Sequence, residues 1–247
     1  MIKLNRNFTP LYLSPENSAR LREAFKSSGK AVWAHTEVKT ALLELSSYKC
    51  AYCECKLAEE SKYMEVEHFH DKASYPSMVI EWDNLLPSCK RCNVSKSTHD
   101  VKEEPIINPF INNPKDHIEF HLYRLRGTSD IGIATEEVLD LNNFEKVLQK
   151  RFDIGNSIQD SLKDIIEKVQ LYEKNQSVRR RNKLIGSLKG LLDECVPEAS
   201  YSAASATVLH NDPNYLTIVR DLKALNIWTK DLQVLHDNSL SCALQYA

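Results

Sequence analysis

The chain has 247 residues, of which 42% are hydrophobic and 27% are charged. These fractions are typical of globular proteins and exclude a wholly disordered chain, a collagen or a coiled-coil rod. The net charge of −2 is less basic than is usual for a protein that binds nucleic acid unaided. No apolar run approaches the roughly 20 residues of a membrane span, and the N-terminal segment lacks the pattern of a signal peptide. We therefore expect a cytoplasmic protein with no membrane partner.

The first segment of the chain, residues 1–47, is predicted to form a helical lead-in. Ser14 is a candidate N-cap, and Pro15 stands at the first helical position. A second helix is predicted over residues 36–45, where apolar residues recur at helical spacing.

The next segment has the pattern of two strands followed by a helix. Residues 63–68 alternate as expected for a short strand. After a loop and a second strand, a short helix is predicted to run to about Ser97, with Ser88 as its N-cap.

The rest of the chain is predicted to be mainly helical. A strand is expected at residues 117–123, and helices from about residue 136 onward. A polar loop is expected near residues 197–213, then a last helix near 215–225 and a short tail. The segment 174–189 carries six positive and no negative residues, which fits either a solvated helix face or a patch for nucleic acid or a partner.

The spacing of the cysteines indicates a metal site. Cys50 and Cys53 form one C-x-x-C turn, and Cys89 and Cys92 form another. Two such turns can bring four thiolates onto one tetrahedral zinc ion. The alternatives are a coincidence of buried cysteines or a redox dithiol.

The other three cysteines are given structural roles. Cys55 is interpreted as a small packed residue, although it could replace Cys53 as a ligand. Cys195 and Cys242 stand alone and are interpreted as structural.

An acid–histidine pair and two asparagines lie close to the cysteine turns. Glu67 and His68 precede Asn84, and Asn93 directly follows the last cysteine of the second turn. Phosphodiester cleavage needs a base for the attacking water and a Lewis acid for the developing charge. A histidine can supply the base, and carboxylate and amide oxygens can hold Mg²⁺.

The stretches YKCAYCE, VEHF, WDNLLPSCKRCNVSK and PIINPF together resemble the HNH endonucleases, which have a zinc-clamped ββα-metal fold. More narrowly, they are similar to the PtuB family of Septu anti-phage systems, including those that accompany some retrons. The resemblance covers about residues 48–112.

The resemblance implies a role for each residue of the motif. His68 would be the general base, and Glu67 and Asn93 would ligate a catalytic Mg²⁺ or Mn²⁺. Asn84 would brace the loop that positions His68. The four cysteines of the two turns would hold a structural zinc, and Lys96 matches a basic position that could contact phosphate.

This sequence departs from the family pattern in three places. Many HNH enzymes have Asp at the position of Glu67, His at the position of Asn93, and a proline near the position of Asp71. His70 and Asp71 are therefore additional candidates for the site. If His68 faces away, His70 would share its strand face and could replace it as the base.

Each candidate also has a structural interpretation. His68 could be an ordinary hydrogen-bonded histidine, Asn84 a turn residue and Asn93 a helix cap. Arg91 and Lys96 could be solvated surface charges rather than phosphate contacts.

Three functions are consistent with the sequence. The first is a metal-dependent endonuclease in bacterial defence, acting on DNA or tRNA. The chain has no P-loop, so any ATP dependence would come from a partner. The resemblance implies a PtuA-like ATPase as this partner. In a retron context it also implies a reverse transcriptase with its RNA–DNA hybrid. The second is a non-catalytic, zinc-stabilised module that binds nucleic acid or protein, and the third is an assembly subunit built on the C-terminal helices.

The predicted fold class is α+β. A helical lead-in (1–47) precedes a zinc-clamped nuclease core (48–112) and a mainly helical region for partner docking or regulation (113–247).

Overall fold

The computed structural model describes residues 1–57 and 63–247 and confirms an α+β protein with two small sheets. The helices are α1 (Pro15–Ser28), α2 (Thr36–Leu45), α3 (Lys90–Lys96), α4 (Asp130–Val138), α5 (Gln149–Lys174), α6 (Val178–Asp193), α7 (Ser202–Asn211), α8 (Pro213–Ala224) and α9 (Lys230–Cys242). The strands are β1 (Met64–His68), β2 (Leu85–Cys89), β3 (Ile118–His121), β4 (Arg124–Gly127) and β5 (Gln245–Tyr246).

The contacts divide the chain into two compact units. The first comprises Met1–Ile118 and Arg126–Leu141, and the second comprises Glu119–Leu125 and Asn142–Ala247. Residues 1–47 therefore belong to the same unit as the cysteine turns. The three-part division into lead-in, nuclease core and C-terminal region stays a prediction.

The two helices of the lead-in form as the sequence predicts. The Ser14 side chain accepts a hydrogen bond from the Asn17 amide at 3.4 Å and so caps α1. The helix ends at Gly29, whose φ of 66° is in the left-handed region that glycine tolerates best. Helix α2 has the predicted limits, 36–45.

The lead-in helices share one apolar core with the loop and strand that follow β1. This core of the first unit comprises Leu13, Leu21, Val38, Ala41, Leu42, Val79, Ile80, Trp82 and Leu85. Trp82 also stacks against Arg6, whose guanidinium carbon lies 4.6 Å from the indole centroid and 4.0 Å from the ring of Phe110. The N-terminal segment is thus tied to the same core.

The predicted order of strand, loop, strand and helix is confirmed. Strand β1 pairs antiparallel with β2, with Glu67 opposite Leu86 and His68 opposite Leu85. Helix α3 packs against both strands. The predicted cap is wrong: Cys89, not Ser88, is the N-cap of α3, and its sulfur lies 3.5 Å from the Cys92 amide.

The second unit is built mainly from α5 to α9, with α5 packed against α6, α7 and α8. The sheet of β3, β4 and β5 has the order β4-β3-β5. Strand β3 confirms the strand expected within 117–123, and α8 confirms the helix expected near 215–225.

Two sequence-based expectations for the C-terminal region are wrong. The polar loop expected near 197–213 contains α7, which is buried on nearly all sides. The expected short tail contains α9 and β5. Among the helices that the structure describes, none is long and apolar enough to cross a membrane.

Candidate metal and catalytic site

The four cysteines of the two C-x-x-C turns converge in the first unit. Cys50, Cys53, Cys89 and Cys92 place their sulfurs within 4.8 Å of one another. The sulfurs of Cys53 and Cys89 are 3.7 Å apart, and a tetrahedral ion with Zn–S bonds of about 2.3 Å would hold its ligands about 3.8 Å apart. The group could therefore hold a metal ion such as zinc.

The remaining cysteines lie outside this group of four. Cys55 is half-buried next to it, and its carbonyl accepts a hydrogen bond from the Cys50 amide at 2.9 Å. Cys195 and Cys242 are buried in the second unit, and burial raises the pKa of the Cys195 thiol to about 12. Both are placed as structural thiols would be.

Arg91 connects the cysteine cluster to the end of α4. Its guanidinium donates to the sulfur of Cys92 at 3.0 Å and to the carbonyls of Leu139 and Asp140 at 3.0 and 2.8 Å. Burial opposes the charge, but the neighbouring cysteine sulfurs raise the pKa of Arg91. Both terminal nitrogens of Arg91 have partners within the protein, and the phosphate contact expected for Arg91 stays a prediction.

Two polar pairs join β1 to α3. The Nδ2 atom of Asn93 donates to Glu65 Oε2 at 2.5 Å, and the ammonium of Lys96 lies 2.8 Å from Glu67 Oε1. Glu65 and Glu67 are two residues apart in β1 and so share one face of the strand. Asn93 and Lys96 are three residues apart in α3 and so share one face of the helix.

The pair of Glu67 and Lys96 is buried. Their side chains are 3% and 0% exposed, and Lys96 Nζ also donates to the His68 carbonyl at 3.0 Å. Burial raises the pKa of Glu67 to about 7, although the attraction of Lys96 opposes this change. The ammonium of Lys96 points inward, and the phosphate contact expected for Lys96 stays a prediction.

The imidazole of His68 is held in one orientation. Its Nε2 donates to the Val79 carbonyl at 2.9 Å, and its ring is perpendicular to that of Trp33, with 4.7 Å between centroids. Burial lowers the pKa of His68 to about 4, so the ring is neutral at neutral pH. Because a neutral imidazole carries one N–H, the lone pair lies on Nδ1.

The side chain of Asn84 forms hydrogen bonds with the backbone of the loop after β1. Its Oδ1 accepts from the His70 amide at 2.6 Å, and its Nδ2 donates to the carbonyls of His70 and Met78 at 3.0 and 3.1 Å. The Asn84 carbonyl also accepts from the Phe69 amide at 2.9 Å. These bonds fix the backbone immediately after His68 and the residue before Val79.

The two additional candidates, His70 and Asp71, make other contacts in this structure, and their roles in the site stay predictions. Strand β1 ends at His68, so the expectation that His70 shares its strand face is wrong, and the His70 ring lies against Phe69 and Tyr75 instead. Asp71 accepts hydrogen bonds from the amides of Ala73 and Ser74 at 3.2 and 2.9 Å. Its carboxylate thus closes a turn.

Glu65 is the residue that the sequence reasoning missed. It lies on the same strand face as Glu67 and contacts Asn93 directly. The alternation of β1 was visible in the sequence and could have revealed it, because residues two apart in a strand face the same side. Glu65, Glu67 and Asn93 supply the oxygen donors that hard cations such as Mg²⁺ prefer, so this donor set fits the implied ion.

Similarity to known proteins extends over nearly the whole chain. The chain is 41% identical over 241 residues to a Septu protein PtuB of Bacillus thuringiensis, covering 97% of this chain and 93% of the relative. It is 27% identical over 162 residues to a Septu protein PtuB of Bacillus mycoides, covering 49% of this chain and 55% of the relative. No family model matches the chain, and no solved structure matches it.

Proposed function

Because this chain belongs to the PtuB family of Septu proteins, we propose that it is the metal-dependent HNH endonuclease subunit of an anti-phage defence system. The proposal rests on one arrangement at the end of β1. There a neutral, oriented histidine directly follows a carboxylate, and a helix that begins at the cysteine cluster carries the facing amide.

In this proposal His68 is the general base. The Val79 carbonyl holds Nε2–H, so Nδ1 has the lone pair that can accept a proton from water. Asn84 acts as a positioning residue, because its hydrogen bonds fix the backbone on both sides of the loop that carries Val79 and His70.

The oxygens of Glu67 and Asn93 would hold Mg²⁺ or Mn²⁺. When bound there, such an ion stabilises negative charge that develops on a phosphoryl oxygen. Glu65 orients the amide of Asn93, because Nδ2 donates to its carboxylate and Oδ1 is thereby left for the ion. Lys96 lowers the cost of burying the Glu67 carboxylate.

The four cysteines would hold a structural zinc that fixes the start of α3. Cys89 caps this helix and Cys92 lies within it, so the ion would set the position of Asn93 and Lys96 relative to β1. A structural zinc contributes its binding free energy to folding, which suits a β-hairpin and a helix of seven residues.

The substrate is DNA or tRNA, and a PtuA-like ATPase releases or activates the subunit. A retron reverse transcriptase with its RNA–DNA hybrid is the further partner in a retron context. The cytoplasm is the expected location. The alternative is a non-catalytic, zinc-stabilised module that binds nucleic acid or protein.

The decisive experiment compares wild type with His68→Ala in the complex with the ATPase. Phage DNA, host DNA and bulk tRNA are incubated with each complex in Mg²⁺. We expect cleavage of one substrate class and its loss in the variant. His70→Ala is the matched control and should cleave like wild type. Cleavage that survives His68→Ala would favour the non-catalytic alternative.

A further inference from the structure

The connection between α5 and α6 presents a group of cations without carboxylate partners. We call this group the basic tip, and it consists of Lys174, Arg179, Arg181 and Lys183, all of which are exposed. In the part of the chain that the structure describes, none of them forms an ion pair with a carboxylate. Some other cations of this unit are paired, such as Lys189 with Asp231 at 2.6 Å.

The arrangement of the basic tip is unfavourable for the helix that carries it. Arg179 and Lys183 are four residues apart on α6, so two like charges face each other on the helix surface. The first turn of α6 contains no acidic residue, although acidic residues are the ones that stabilise a helix N-terminus. The pKa of the Lys168 ammonium is lowered mainly by burial, and the nearby charge of Lys183 lowers it further.

The backbone of the tip is nevertheless held in place. The Arg180 guanidinium donates to the carbonyls of Leu171 and Asn175 at 3.0 and 3.4 Å. The Ser177 side chain caps α6 by accepting from the Arg180 amide at 3.3 Å. The repelling cations are therefore presented from a fixed connection of three residues, 175–177.

The chemistry of the tip fits a phosphate backbone. Exposed amide side chains lie between and beside the cations, at Asn175, Gln176 and Asn182. Lysine, arginine and amide side chains are the usual donors to phosphate and sugar oxygens. The whole chain has a net charge of −2, so a polyanion would be drawn to this local excess of positive charge.

We propose that the basic tip is a sequence-independent contact surface for the phosphate backbone of nucleic acid. The choice of ligand rests on the proposed nuclease function. An acidic protein partner is the competing occupant, and the experiment below separates the two.

The test measures the salt dependence of binding in the full chain. All proteins carry His68→Ala so that the probe stays intact. The tip variant adds Lys174→Gln, Arg179→Gln and Lys183→Gln. The matched control adds Lys163→Gln, Lys189→Gln and Arg220→Gln, which remove three cations that are each paired with an aspartate. Both variants change the net charge equally.

Binding of a short fluorescein-labelled DNA duplex, and separately of labelled tRNA, is followed by anisotropy between about 50 and 200 mM NaCl. We expect the slope of log affinity against log salt to become shallower by about 2.7 in the tip variant, if each cation contacts one duplex phosphate. The control should keep the slope of the parent protein. Circular dichroism should show the same helix content for all three proteins, and a melting temperature of the tip variant that is no lower than that of the parent protein.

Two results would overturn the proposal. The first is a slope that changes equally in both variants or changes in neither. A parent protein that binds neither probe counts as this first result. The other is an unchanged slope in the tip variant together with weaker binding to the ATPase, which would assign the tip to an acidic protein. The binding assay does not depend on cleavage. A failure of the nuclease proposal would instead appear as cleavage that survives His68→Ala in the complex with the ATPase.

Discussion

Glu67 and Lys96 form an ion pair that is closed to solvent, with 2.8 Å between Oε1 and Nζ. Glu67 lies in β1 and Lys96 is the last residue of α3, so the pair fixes the distance between the strand and the helix. The same ammonium donates to the His68 carbonyl. A single lysine thus holds the backbone of the proposed base and the carboxylate beside it.

Lys96→Met is expected to destabilise the first unit. The substitution leaves the Glu67 carboxylate buried without its counter-ion, which costs about 3–5 kcal/mol. Urea unfolding followed by tryptophan fluorescence measures the loss. Lys90→Met, at an exposed lysine of the same helix, should cost much less. In the double variant Glu67→Gln, Lys96→Met we expect much of the loss to be recovered, and equal costs for Lys96→Met and Lys90→Met would contradict the prediction.

The His68 ring is expected to titrate far below the usual range for histidine. Burial favours the neutral ring in the folded state and lowers its pKa from 6.5 to about 4. Between these two values the unfolded chain binds a proton that the folded chain does not, so acid favours unfolding. The contribution of His68 to the stability is therefore present above pH 6.5 and is lost as the pH falls toward 4. Nitrogen-15 NMR of the histidine rings measures the pKa, and His68→Gln identifies the signal. A His68 pKa near the usual value would contradict the buried, Nε2-protonated state.

Loss of one ligand cysteine is expected to abolish metal binding and cooperative folding of the first unit. A structural zinc supplies about 10–16 kcal/mol in small zinc-binding peptides, which exceeds the stability of most domains. Elemental analysis should find about one zinc per chain in wild type and almost none in Cys92→Ser. Cys55→Ser is the matched control, because Cys55 lies outside the group of four. If Cys55→Ser loses the metal and Cys92→Ser keeps it, the ligand assignment is wrong.

Glu65→Ala is expected to weaken binding of the catalytic ion without unfolding the protein. The Asn93 amide loses the acceptor that orients it, and loss of such an orienting partner lowers metal affinity by about 10–100-fold. Electron paramagnetic resonance of added Mn²⁺ measures the affinity independently of cleavage. Glu65→Gln retains an acceptor oxygen and should restore most of the affinity. Equal affinities for Glu65→Ala and wild type would remove Glu65 from the site.

The hairpin and its helix could be predicted from the sequence because their signals are local. Alternation marks β1, and the C-x-x-C turn marks the start of α3. Helix α2 was equally accessible from the spacing of its apolar residues. The cysteines of both turns converge as their spacing indicates.

Helix α7 could not be predicted in this way. Its sequence, SAASATVLHN, consists largely of small residues and has no single apolar stripe. Ala203, Ala206 and Thr207 are fully buried, so the helix is surrounded by its neighbours rather than amphipathic. Its packing, which depends on distant parts of the chain, decides its conformation.

The directions of Arg91 and Lys96 were also beyond local signals. Both are long cationic side chains of α3 next to the cysteine turn, and such residues are usually solvated. Lys96 points inward because the Glu67 carboxylate lies on the facing strand. Arg91 points toward the carbonyls of residues 139 and 140. Only the tertiary contact between these elements determines which cations are buried.

Arg91 gives the cysteine cluster an effect beyond its own turns. The same guanidinium binds the Cys92 sulfur and the carbonyls of Leu139 and Asp140, directly before the chain enters the second unit. One side chain thus joins the start of α3 to a segment almost 50 residues later in the chain, so a substitution at Arg91 would release the sulfur and these carbonyls together.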